Sequence, residues 1–273
     1  MLIALRSYLL KDMITVQDIA STIEEFAPKS IQESYDNAGL QIGDPNMIVR
    51  GILICLDVTE AILSEAIEKN CNLIISHHPL IFIGLKDITG QNNTQRIVIK
   101  AIQENIAIYS AHTNLDSAKN GVSYEIANIL DLDNIHTLCP RDNDSNIGLG
   151  AVGEIRPMPA IEFLKLIKER FNVKALKYSA LSPQAEIKKV AICGGSGASL
   201  INDAIRSGAD IYITGDIKYH DITSYSDKII IADIGHYESE LCTKKIFKRI
   251  ISEKFVNFAT YLSESEKNPI NYI

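Results

Sequence analysis

The sequence predicts an α/β fold of parallel β-α-β units. Two observations carry this. Short apolar runs alternate with segments whose apolar residues recur every three to four positions, the signature of strands connected by helices. The plan then returns: "VAIC" at 190–193 matches "ILIC" at 52–55, and "DAIRSGADIYITGD" at 203–216 matches "EAIEKNCNLIISHH" at 65–78. Both matches use one offset of 138 residues without a gap, which favours a duplicated architecture.

The elements follow in order. The apolar run 1–13 is interrupted by Arg6, is too short to span a membrane and lacks a signal-peptide pattern. It reads as a short extension, and Met13 is an alternative start. Thr15 is a predicted N-cap, with Val16, Ile19, Ala20, Ile23 and Phe26 at helical spacing and Pro28 closing the helix. "SYDNAGLQIGD" reads as a loop. Then come a strand at 51–57, a helix at 60–70, a strand at 73–76, a helix at 93–104 and a strand at 106–111. "CPRDNDSNIGLGAVGEIRPMPA" reads as a linking loop for its Asn, Asp, Gly and Pro. A helix at 160–171 precedes the second copy, whose last strand is "KIIIADIG" (228–235). The expected units are 1–130 and 131–273, with elements of the second returning to the first.

Bulk properties narrow the function. The chain has 273 residues, 46% of them hydrophobic, enough for a sizeable core. Its net charge of −7 opposes sequence-independent nucleic-acid binding. The five cysteines are irregularly spaced and form no C-x-x-C pair, as expected of a reduced, cytoplasmic protein.

Chemistry gathers at the strand exits. "LIIS" runs into His77 and His78, "IAIYSA" into His112 and Asp116, and "IIIADIG" into His236 and Glu240. Ligands of parallel α/β sheets bind beyond the carboxyl ends of strands. An isolated histidine there is usually structural. Here, however, four of the six histidines in the chain sit at such exits, and two have a carboxylate four residues on, one helical turn away. Adjacent His77 and His78 are expected to point to different sides, each serving one ion of a two-metal centre. Imidazole and carboxylate donors suit Zn, Fe(II), Mn, Co or Ni.

Weaker signals are set beside these. "GLGAVG" (148–153) fits a dinucleotide fingerprint literally, but follows a polar loop and precedes no helix. "CGGSGAS" (193–199) offers backbone N–H groups to a phosphate, or simply a glycine turn. Tyr219 and His220 line or cap a pocket at the second copy's strand exit. Cys242 would face away from Glu240 on a helix and is not counted as a ligand.

Taken in order, "YDNAGLQIGD", "SHHPLIF", "AHTNLD", "GDIKYHD" and "GHYESE" resemble the GTP cyclohydrolase I type 2 homologue family, also called the NGG-interacting-factor-three-like family. The resemblance covers the chain from about residue 14. It implies two interlinked, similar three-layer α/β domains with a dinuclear metal site in the cleft between them. The implied ligands of two divalent ions per chain are His77, His78, Asp116, His236 and Glu240, with Glu240 bridging. His112 and His220 are the candidates for proton transfer. It further implies a homohexamer and a metal-dependent hydrolase acting on a purine nucleotide; the alternative is a non-enzymatic metal carrier, chaperone or regulatory adaptor. Tyr35 stands where Trp is usual, and Asp216 where Glu is common, which bears on the pocket rather than the ligands.

Overall fold

A computed structural model describes residues 13–141, 144–180 and 182–273. The expected extension lies, apart from Met13, outside the described residues. The chain forms an α/β fold of two compact units, each with its own sheet. The first comprises the described residues up to Asn114 together with Lys244–Lys267; the second comprises Leu115–Thr243 and Asn268–Ile273.

The first unit opens with α1 (Val16–Phe26). Thr15 caps it: its hydroxyl accepts from Asp18 N–H at 3.2 Å, and the Asp18 carboxylate accepts from Thr15 N–H at 2.8 Å. Then follow β1 (Gly39–Ile42), β2 (Ile52–Cys55), α2 (Glu60–Glu68), β3 (Leu73–Ser76), α3 (Asn93–Gln103) and β4 (Ala107–Ser110). The loop expected around residue 39 thus contains a strand, β1, paired antiparallel to β4. β2, β3 and β4 are parallel and buried at every position. Leu53, Cys55, Ile74 and Ile108 pack against Ile62, Leu63 and Ala66 of α2 and Ile97, Val98 and Ala101 of α3. Ile52, Ile54, Leu73 and Ile75 are equally buried on the other face, from which Tyr109 reaches Glu24 of α1. A strand buried on both faces has no polar alternation, which is why these runs read as continuous apolar stretches. After α2 and α3 the chain turns at Asn70 and Asn105, both left-handed, the conformation that ends a helix.

α4 (Thr113–Ser117) carries the chain from the first unit into the second, where α5 (Val122–Ile129) follows and β5 (Asp133–Arg141) leads to β6 (Asp144–Pro159). Residues 115–130, expected with the first unit, belong here because α5 packs on β6 and on β8 (Glu186–Ser196). The expected linking loop is in fact β6 with the end of β5, paired antiparallel. Its glycines serve the pairing: Gly148 and Gly150 have positive φ, and a side chain at 148 would strike the Cys139 carbonyl. α6 (Ala160–Arg170) and β7 (Lys177–Tyr178) precede β8. After it come α7 (Ile201–Arg206), β9 (Ile211–Gly215), α8 (Tyr219–Tyr225), β10 (Ile230–Asp233) and α9 (His236–Glu240). The sheet order is β5-β6-β8-β9-β10-β7, with β8, β9 and β10 parallel. The repeat is real in register: Ile52 pairs with Leu73, and Val190 with Ile211, each 138 residues on.

α10 (Thr243–Lys254) returns the chain to the first unit, where β11 (Thr260–Leu262) adds parallel to β2. Two buried carboxylates fasten this return. Glu266 accepts from the N–H groups of Leu56 and Asp57 at 2.6 and 3.1 Å and pairs with Lys244 at 2.8 Å. Glu65 on α2 accepts from Glu264 N–H, from the N–H and hydroxyl of Ser265, and from Lys69. Burial opposes its charge, yet these donors outweigh burial and hold its carboxyl at about 2. Among the described residues no helix is long and apolar enough to cross a membrane.

A carboxyl held low in the folded state stabilises above its unfolded pKa, and that stability is lost as pH falls from about 4.5 towards 2. Glu65→Gln should therefore lower stability by about 1–3 kcal/mol at neutral pH. It should also flatten the pH dependence between those limits, read from urea melts.

Candidate functional site

The first unit gathers three histidines. Offered ring nitrogens of His77, His78 and His112 all lie within 4.8 Å of one another. The ring centroids of His77 and His78 are 5.1 Å apart, and those of His77 and His112 are 5.2 Å apart. Neighbours 77 and 78 lie past the extended strand, and a local bend accompanies the closeness of their rings. β3 ends at Ser76, and the backbone bends beyond it, with the Ser76 hydroxyl donating to the His78 carbonyl at 2.9 Å. Alternation of side chains belongs to extended backbone and stops where the strand stops.

Each ring is held by Nδ1. His77 Nδ1 lies 2.9 Å from the Ala111 carbonyl, an acceptor only, so it carries the proton. His78 Nδ1 lies 2.8 Å from Asp57 Oδ1, and His112 Nδ1 lies 2.8 Å from Asp36 Oδ1. Burial works against the charge on Asp36. Hydrogen bonds from His112, from Thr113 and from Asn37 N–H override it and keep the carboxyl far below its ordinary range. An ionised Asp36 accepts only, so His112 donates from Nδ1. In the neutral ring Nε2 then carries the lone pair. Asp57 sits on the backbone that Glu266 fastens, so the C-terminal return also fixes a partner of His78.

The second unit gathers Asp116, His236 and Glu240. α9 begins at His236, and one turn later Glu240 Oε2 lies 2.9 Å from His236 Nε2. His236 Nδ1 lies 2.8 Å from Asp216 Oδ2. A carboxylate oxygen of Asp116 comes within 4.8 Å of one of Glu240. Glu240, 3% exposed, lies near both other donors. The Cys193 thiol is pushed up to about 12, chiefly by burial and next by the charge of Asp116, with Glu240 adding to it. Cys242 is buried, and its thiol is raised chiefly by that burial and next by the charges of Glu125 and Glu240.

Two expectations change here. The glycine turn at 194–197 is no phosphate cradle: Gly194 N–H donates to Ser123 Oγ, Gly195 to Ser239 Oγ and Gly197 to Thr214 Oγ1. Its glycines make room instead. A side chain at Gly195, where φ is +62°, would strike Glu240 Oε1. His220 is exposed on α8 with its ring against Tyr219, and it joins no donor group among the described residues. Sequence reasoning missed Asp36 and Asp57 and gave Asp216 no partner; their pairing with histidines has no local signal.

The model of the Duf34/NIF3 (NGG1p interacting factor 3) family matches residues 14–269. The chain belongs to this family. Two curated relatives, each called a GTP cyclohydrolase 1 type 2 homolog, come from Clostridium acetobutylicum and Clostridium perfringens. The first is 35% identical over 95% of this chain and 99% of its own length; the second is 37% identical over 94% and 99%. A crystal structure of a Staphylococcus aureus hypothetical protein matches with a TM-score of 0.89 at 30% identity, covering 96% of this chain and 100% of that one. A Bacillus cereus protein related to NIF3 matches with a TM-score of 0.88 at 26% identity, covering 96% and 100%.

In this family member both donor sets fit a divalent cation by their chemistry: imidazole nitrogens and carboxylate oxygens, with Nδ1 anchors that orient the rings. Asp57→Asn and Asp216→Asn should each weaken zinc binding by about 10–100-fold. Gly195→Ala should do the same by displacing Glu240. Chelator competition followed for each variant checks all three.

Proposed function

We propose that the chain is a metal-dependent hydrolase of GTP-cyclohydrolase type acting on a purine nucleotide. In this reading His77, His78, Asp116, His236 and Glu240 hold two divalent cations in a cleft between the two units, with Glu240 bridging. The observation that carries it is the set of imidazoles anchored at Nδ1, three of them by aspartates. Family membership and the relatives' shared name support the reaction class. A bound divalent ion supplies Lewis acidity and lowers the pKa of a water molecule.

The chain's own part is orientation and proton handling. His112 accepts a proton at Nε2, and the Asp36 carboxylate stabilises the imidazolium that forms. His112 is preferred to His220 for this, because its ring stands among the donors of its own unit. Asp57 and Asp216 hold His78 and His236 in register. The reading includes a homohexamer, as the family resemblance implies, which sedimentation of the purified protein checks.

One observation favours a second reading. The N–H groups expected to receive a triphosphate are already taken by Ser123, Ser239 and Thr214. A metal carrier, chaperone or regulatory adaptor needs no such cradle.

Elemental analysis of the native protein and of His77→Ala, followed by a nucleotide-turnover screen, separates the readings. The hydrolase reading expects loss of about one of two ions in the variant and GTP consumption by the native protein only. Metal-loaded native protein that leaves GTP unchanged, yet passes its ions to an apo-acceptor, would establish the carrier instead.

A further inference from the structure

Two aromatic side chains stand exposed beside the three-histidine cluster. Tyr35 is 65% and Phe82 44% exposed, although each is large and apolar enough to be worth burying. Their rings meet edge-on, with centroids 6.4 Å apart and planes at 62°. Phe82 in turn meets the His112 ring edge-on at 6.0 Å. A line of rings therefore runs from solvent through Tyr35 and Phe82 to His112, all within the first unit.

The loops carrying the two rings are laced together. Asn37 donates its amide to the Ile81 carbonyl at 2.6 Å, and Ile81 N–H donates to Gln41 Oε1 at 3.0 Å. Asn37 lies two residues after Tyr35, and Ile81 immediately before Phe82, so the aromatic pair is held by side chains rather than left on loose tips. Phe82 also forms a wall of an open groove of about 580 Å³, lined by the apolar Leu80, Ile83 and Leu85 and by the polar Asn92, Thr94 and Arg96. That volume lies in the range of small-ligand sites, and its mixed lining suits a ligand with one flat apolar part and one polar part.

We propose that Phe82 and Tyr35 form the seat for a planar heteroaromatic ring, the base of a nucleotide, beside His112. Both side chains keep much of their surface exposed, and a base offers a π-face that packs on aromatic rings. This rests on the nucleotide reading above and deepens it: the base is held by aromatic side chains of the first unit, not by the glycine turn of the second.

The chain contains no tryptophan, so Tyr35→Trp installs a single tryptophan at the seat, excited selectively over the tyrosines. Metal-loaded Tyr35→Trp is titrated with GTP, with guanosine and with tripolyphosphate. Saturable quenching by GTP and guanosine, and none by tripolyphosphate, is the expected result. Adding Phe82→Ala should weaken both by about tenfold with metal content unchanged. Equilibrium dialysis of GTP against wild type and Phe82→Ala gives the same comparison without the reporter. Binding and turnover are separate readouts, so failure to hydrolyse GTP would sink the hydrolase reading and leave this one standing. Equal GTP affinity in wild type and Phe82→Ala overturns the seat. So does tripolyphosphate competing as well as GTP, or a change in sedimentation with no change in binding, which would make the rings a contact between copies of the chain.

Discussion

A neutral imidazole has one N–H and one lone pair, so whatever takes the first decides where the second points. In this protein an oxygen acceptor that can take the N–H stands at Nδ1 of each of the four clustered rings. Ala111 takes it from His77 and Asp36 from His112, while Asp57 and Asp216 hold His78 and His236. Nε2 is thereby oriented in all four rings, before any cation arrives. A ring free to rotate would lose rotamer entropy on binding; a ring already held loses little. The aspartates add basicity as well as direction, since a carboxylate at Nδ1 favours positive charge on the ring.

These anchors depend on the backbone that carries them. Asp57 lies one residue past Leu56, and both N–H groups are bound by Glu266, from a segment some 200 residues later in the chain. Glu65 binds the same segment two residues earlier. The C-terminal return is thus more than an added strand. It fixes the exit of β2, and through Asp57 it fixes one histidine ring. A substitution at Glu266 acts on His78 through two hydrogen bonds, one from the backbone N–H of Asp57 and one between the Asp57 carboxylate and the ring.

The sequence made some of this legible and hid the rest for a physical reason. Helix α1 and the buried strands β2, β3 and β4 depend on local periodicity and local capping, and Thr15, Asp18 and the apolar runs displayed both. The exits of those strands displayed the histidines. The β5–β6 pairing was hidden because its Asn, Asp and Gly residues are the same ones that build loops; only pairing tells them apart. β11 is three residues long and exists by addition to β2. The anchoring carboxylates were hidden by distance: Asp36 precedes His112 by 76 residues, Asp57 precedes His78 by 21, and Asp216 precedes His236 by 20. No helical or strand period links such pairs.

The duplicated plan explains why the two units contribute different donors. At the shared offset of 138, Asp57 corresponds to Gly195, His77 to Gly215 and His78 to Asp216. In the first unit the exit of β2 supplies the carboxylate and the exit of β3 supplies the imidazoles. In the second, the exit of β8 is a glycine against which Glu240 packs, and the exit of β9 supplies the carboxylate that holds His236. Gly215 is the counterpart of a histidine because a Cβ there would meet His236 N at 2.8 Å, where α9 begins. Asp216 takes a left-handed backbone (φ 56°), which an aspartate tolerates better than a β-branched residue. The same strand ends are used twice, once to carry the donors and once to clear space for donors borne by the helix that follows the next strand.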